Sequence, residues 1–127
     1  MEYYRTKKSS SAASCVVVDD MILTKDMPTA AGSKMLDGFM SLFDAEVVTK
    51  LADAGYGICG KAKTGEFAFD LLGETAFDGA CIVDGALKSA AAEIVKSGDA
   101  QAVVCLDVNG SVCRGAAQAG LISIKPT

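Results

Sequence analysis

Ser111 follows Asn109-Gly110 and precedes the small-residue run Gly115-Ala116-Ala117-Gln118-Ala119-Gly120, and its setting is the one in this chain most suited to nucleophilic chemistry. The apolar run before it, Ala102-Val103-Val104-Cys105-Leu106, suits a strand buried on both faces. Asp107 to Ser111 then breaks that run with turn formers. A serine at a strand-to-helix turn beside a glycine can attack a carbonyl while backbone N–H groups stabilise the oxyanion. The same position equally suits an ordinary helix N-cap. Backbone N–H groups of Asn109, Gly110 and Ser111 could also hold a small amide or carboxylate, which requires no base.

A nucleophilic serine needs a proton acceptor, and the chain contains no histidine. Ser-His-Asp and Cys-His triads are therefore impossible within it, as are histidine-based zinc sites. Any serine chemistry would need a lysine, a tyrosine or a carboxylate as its base. An unperturbed carboxylate, with a pKa of about 4, is poorly matched to a serine hydroxyl. A buried lysine can lose its proton and serve instead. Cys113 lies two residues from Ser111 without a histidine partner and reads as a packing thiol. No metal or cofactor is expected.

The five cysteines include no C-x-x-C pair. Cys15, Cys59, Cys81 and Cys105 each lie in or beside apolar runs, so they read as reduced core thiols of a cytoplasmic protein. With 127 residues, half of them hydrophobic, the chain makes one domain that buries roughly two-thirds of its unfolded surface. A net charge of −4 and no basic run beyond Lys7-Lys8 argue against nucleic acid as a direct partner. No stretch reaches the roughly 18 apolar residues of a membrane span, and the polar start lacks the apolar middle of a secretion signal.

The elements that must position these residues alternate. Residues 1–13 read as a polar arm, with an edge strand through Tyr3-Tyr4 as the alternative, and residues 14–127 as the folded domain. Cys15-Val16-Val17-Val18 is a short strand ending at Asp19-Asp20. Asp44 is the N-cap candidate of a helix whose Val47, Val48, Leu51 and Ala54 share one face, with Gly55 at its left-handed end. Tyr56–Gly60 reads as a strand, Glu66–Leu72 as a short helix and Cys81-Ile82-Val83 as a strand. An Ala-rich helix follows over Gly85–Lys96, then the strand before Ser111, and Leu121–Ile124 as a last short strand. This alternation implies a single-domain α/β/α sandwich with a largely parallel or mixed sheet.

Several stretches fall into a recognisable order. Asp44-Ala45-Glu46-Val47-Val48 through Leu51 and Ala54-Gly55 resembles D-A-x-V-V-x-x-L-x-x-A-G, and Gly60-Lys61-Ala62-Lys63-Thr64-Gly65-Glu66-Phe67-Ala68 resembles G-K-T-N-x-x-E-F-A. Ile22 to Lys34 is similar to the segment after a K-D-N motif. Ser89-Ala90-Ala91-Ala92 matches the end of G-S-S-G-G-S-A-A-A, and Asp107 to Thr127 resembles D-T-G-G-S-I-R-Q-P-A-A-x-x-G-x-x-G-L-K-P-T. These motifs are those of the amidase signature family, and the resemblance implies the N-terminal part of that family's α/β core.

The family cleaves or transfers amides with a Ser–cis-Ser–Lys triad, in which a neutral lysine takes the bridging serine's proton and that serine deprotonates the nucleophile. Carried over, the nucleophile falls on Ser111, the lysine position on Asp19 and the bridging serine on Gly85, with Ala86 after it. The stretch from Phe77 to Ser89 is several residues shorter than the family's. Asn109 replaces a family glycine, and Cys113 the family's arginine, with Arg114 displaced by one. The chain stops at Thr127, where family enzymes continue. The resemblance therefore implies a non-catalytic relative acting as a binding or assembly module. The alternative is an amide hydrolase or amidotransferase component using Ser111 with a replacement base from Asp19, from Lys61 or Lys63, or from a partner subunit. A homo-oligomer or a protein partner is expected to cover an exposed sheet edge.

Overall fold

The computed structural model describes residues 3–8, 14–70 and 73–127. Its main sheet has four strands: β1 (Tyr4–Lys7), β2 (Cys15–Asp19), β3 (Gly57–Ala62) and β6 (Ala102–Val104), in the order β1-β3-β2-β6. β2 runs parallel to both β3 and β6, and β1 pairs antiparallel with β3, so the sheet is mixed. A separate hairpin joins β4 (Ile82–Val83) to β5 (Ala86–Leu87). The helices are α1 (Glu46–Asp53), α2 (Ala90–Lys96) and α3 (Ser111–Ala119). Among the described residues, no helix is long and apolar enough to cross a membrane.

Strand periodicity explains how the layers form. Successive side chains on β2 point to opposite faces. Val17 packs with Tyr4, Cys59, Ala62, Ala100 and Ile94 of α2, while Val18 packs with Ile22 and Val48 of α1. Helices thus cover both faces of the sheet, and the central strand is apolar because both of its sides are buried.

Tyr4–Lys7 is sheet rather than a frayed arm, as Tyr4 is buried against the core and β1 follows β3 across a bulge. Of the expected arm, residues 1, 2 and 9–13 lie outside the described residues. Ala45 takes the N-cap of α1; Asp44 instead accepts the Lys25 N–H at 2.8 Å. Gly55 ends that helix with φ 88°, its neighbour Tyr56 donating back to the Leu51 carbonyl. Glu66–Ala68 forms only a 3-10 turn, and the Ala-rich helix starts at Ala90. Leu121–Ile124 has no strand partner among the described residues and leaves Ile122 and Ile124 exposed.

The cysteines also differ from expectation. Cys15 and Cys59 are joined as a disulfide rather than standing as separate thiols. The parallel register of β2 and β3 brings their Cα atoms to 5.8 Å, within the span that a disulfide bridges. Cys81, Cys105 and Cys113 are free thiols.

Candidate functional site

The C-terminal ends of the parallel strands gather the polar groups, as expected for an open α/β sheet. Gly110, with φ 85°, is the N-cap of α3, so Ser111 is the first helical residue rather than the cap. The helix start is closed by two upstream side chains. Asn109 Oδ1 accepts the Ser111 N–H at 3.2 Å, and Asp107 Oδ1 accepts the Val112 N–H at 3.2 Å. Asn109 also donates through Nδ2 to the Asp70 carbonyl at 3.0 Å. Two donors that a bound anion would use at this turn are therefore already engaged.

Ser111 lines a cavity of about 220 Å³ between the start of α3, the start of α2 and the loop after β3. Ser89, Lys88, Lys63, Asp70 and Arg114 share its wall, while Asn109 and Gly110 do not reach it. Ser89 caps α2 by accepting the Ala92 N–H, and α3 presses directly on it: a Cβ added at Gly115 would stand 2.3 Å from Ser89 Cβ. Glycine at 115 is what lets the two helices meet.

Asp19 ends β2 and is almost wholly buried. One of its oxygens accepts the Leu106 N–H at 2.6 Å and the other the Met21 N–H at 2.9 Å. Burial pushes its pKa up to about 6, against the lowering effect of those two N–H groups and of Lys61. Asp19 does not line the cavity that holds Ser111.

Lys61, on β3, is fully buried, and its ammonium donates to Thr29 Oγ1. Burial lowers its pKa to about 8, opposed by the charges of Asp20, Asp19 and Asp26. It too lies outside the Ser111 cavity, whereas Lys63 lines it and pairs with Asp78 at 3.4 Å. Asp20 holds the adjoining loop in place. Its carboxylate accepts the Ala30 N–H at 3.2 Å, the Gly32 N–H at 3.1 Å and Arg5 Nε at 3.3 Å.

Gly85 sits at the tip of the β4–β5 hairpin. Asp84 and Gly85 have φ of 52° and 74°, the left-handed pair of a type I′ turn. Gly85 is exposed and outside the cavity, as is Ala86. The tight turn occupies the place where the resemblance expects a longer, serine-bearing loop. Burial raises the pKa of the Cys105 thiol above its ordinary value, so it stays protonated. Among the described residues no cluster of cysteines and carboxylates is arranged to hold a metal ion.

Three members of the cavity wall escape a reading of the sequence: Lys88, Ser89 as a wall residue, and Arg114 as a charge facing the same space. The spacing of Ser89 ahead of an Ala-rich helix signals a cap. Nothing in the linear sequence signals that α2 and α3 start side by side.

Comparison with known proteins agrees with this geometry. Residues 12–80 match the family model described as Amidase. The glutamyl-tRNA(Gln) amidotransferase A subunit of Symbiobacterium thermophilum is 37% identical over 119 residues, covering 88% of this chain and 24% of that protein. That of Methanosarcina acetivorans is 34% identical over 119 residues, covering 88% of this chain and 25% of its own length. The crystal structure of the same subunit from Thermotoga maritima superimposes with a TM-score of 0.73 at 26% identity, over 80% of this chain and 26% of that one. The chain spans about a quarter of the length of the curated relatives it matches. With the motifs in order, the sheet shared and the family model matching more than half of its residues, this chain belongs to the amidase family.

Proposed function

We propose that this amidase-family chain is a non-catalytic binding module, in which the space beside Ser111 receives a small amide or carboxylate ligand without cleaving it. One observation carries the reading: the residue at the family's lysine position, Asp19, has its carboxylate committed to two backbone N–H groups and lies outside the Ser111 cavity. Ser111 Oγ has no hydrogen-bond partner among the described residues, and a hydroxyl without a proton acceptor is a weak nucleophile. Gly85, at the bridging position, brings no hydroxyl. A fluorophosphonate probe tests this: wild type should remain unlabelled. Labelling that disappears in Ser111→Ala would overturn the reading.

The alternative, an amide hydrolase or amidotransferase component, draws support from Lys63, which shares the cavity wall with Ser111. That lysine pairs with Asp78 at 3.4 Å, and among the described residues no hydrogen bond joins it to the Ser111 hydroxyl. The same labelling experiment separates the two readings.

Partners follow from the edges of the sheet. The outer side of β6 is unpaired among the described residues, and Ile122 and Ile124 are exposed near it. The relatives are named as subunits of a larger enzyme. A second copy or a protein partner fits such a surface, without nucleic acid or membrane. Sedimentation at micromolar concentration should show an assembly, alone or with co-purified protein; a stable lone monomer counts against it. A cytoplasmic setting draws support from the relatives' names, which place them on aminoacyl-tRNA.

A further inference from the structure

The charges around the Ser111 cavity are not those of the motifs the chain resembles. In G-K-T-N the fourth position is asparagine, and here it is Lys63. In G-S-S-G-G-S the glycine before the last serine is here Lys88. In G-S-I-R-Q the glutamine is here Arg114. Each is a neutral motif position carrying a cation in this chain, and all three line one cavity. Meanwhile the motif's lysine and arginine have become Asp19 and Cys113, so positive charge has moved from one set of positions to another.

From this we infer that the cavity is a site for a small oxyanion, a carboxylate or phosphate group, held by Lys63, Lys88 and Arg114. Among the described residues the wall carries three cations and one carboxylate, Asp70, in a chain whose net charge is −4. Asp70 does not neutralise them freely. Its oxygens accept the Gly73 N–H at 2.6 Å and the Thr75 N–H at 2.9 Å, with the Thr75 hydroxyl as a further donor. Lys88 has no ion-pair partner among the described residues, so its ammonium is available to a ligand. Lys63 spends one of its donors on Asp78 and keeps two. Arg114 adds its positive charge to the same wall. Ser89 and Ser111 supply hydroxyls on the same wall. The volume, about 220 Å³, is below the roughly 300–1,000 Å³ of drug-sized pockets, which limits the ligand to a small molecule.

This inference rests on reading the cavity as a ligand site, but it is indifferent to whether Ser111 reacts, so fluorophosphonate labelling neither supports nor sinks it. The test is calorimetric titration of the full chain with succinate, inorganic phosphate and, as the neutral control, succinamide. Succinate, phosphate or both should bind while succinamide does not, and whichever binds identifies the oxyanion. Affinity should fall as sodium chloride rises. Lys88→Gly, which restores the motif residue, and Lys88→Gln should each weaken binding by roughly 10- to 100-fold, the loss of one charge-assisted contact. Circular dichroism confirms that each variant is folded, and the glutamine variant serves if the glycine one is not. Equal binding of succinamide, no binding of either anion, or unchanged affinity in a folded Lys88 variant would overturn the proposal.

Discussion

The Asp19 carboxylate takes the Leu106 N–H at 2.6 Å, and this contact ties the end of β2 to the chain just beyond β6. Both strands deliver their ends to the same rim of the sheet, one leading to the Asp20 loop and the other to Ser111. An aspartate at this position therefore works as a clasp between backbone segments. A lysine there has no acceptor to offer them.

Restoring the family residue should not restore chemistry. Asp19→Lys removes the acceptor for the Leu106 and Met21 N–H groups, each costing about 1–3 kcal/mol if left unsatisfied in a buried place. We expect a loss of about 2–6 kcal/mol in urea unfolding and no gain in fluorophosphonate labelling, because Gly85 still provides no bridging hydroxyl. A stable, labelled variant would refute both halves of this expectation.

The pH dependence of Asp19 has a definite sign. Its folded pKa, about 6, lies above the ordinary value of 3.8, so folding favours the protonated form. That contribution is fully present below pH 3.8 and is lost as pH rises through about 6. The stability difference between Asp19→Asn, which stays neutral, and wild type should therefore move in the variant's favour by about 2–3 kcal/mol from about pH 4 to pH 7. Denaturation curves of both proteins across that range check it, and a difference that does not change with pH would contradict it. Lys61 runs the other way: with its pKa lowered to about 8, its contribution is present above the unfolded value and fades as pH falls through about 8.

Gly32 is bound to its conformation from two sides. Its φ is +65°, and an added Cβ would lie 2.5 Å from the Thr64 carbonyl oxygen and 2.6 Å from that of Gly65. Both obstacles are backbone and cannot rotate away. Gly32→Ala should cost more than about 2 kcal/mol, while Gly38→Ala, also at positive φ but with open space around it, should cost about 1 kcal/mol. Thermal melts of the two variants side by side provide the comparison; equal losses would show that the steric term is absent.

Thiol counting addresses the disulfide. Denatured protein purified without reductant should titrate three thiols, from Cys81, Cys105 and Cys113, rising to five after reduction. Five before reduction would mean that the Cys15–Cys59 bond does not form where the protein is made, as is usual in a reducing cytoplasm.

Much of the layered fold is legible from local pattern. The valine run of β2 announces a strand buried on both sides, and the spacing of Val47, Val48, Leu51 and Ala54 with Gly55 after them announces α1. What fails locally does so for identifiable reasons. Asp84-Gly85 between apolar pairs is a hairpin signal, but the alanines after it read as one long helix that absorbs the turn. Leu121–Ile124 has strand composition without a partner strand among the described residues, and a strand exists only through its pairing. The Cys15–Cys59 bond depends on register between strands more than forty residues apart, which no local window contains. For the site, Ser111 stands out by its turn, whereas Lys88 and Arg114 become neighbours only through the packing of α2 on α3.

The contact between Gly115 and Ser89 has a longer reach than its size suggests. In this chain's packing no side chain can be inserted at 115, where the motif it resembles has proline, without prying α2 from α3. Glycine there is demanded by the fit of these two helices, whatever happens at Ser111. Descendants of this chain could exchange one chemistry for another, or abandon chemistry altogether, and still be held to that residue. Its persistence in a lineage would then be a record of architecture, and would be misread as a trace of catalysis.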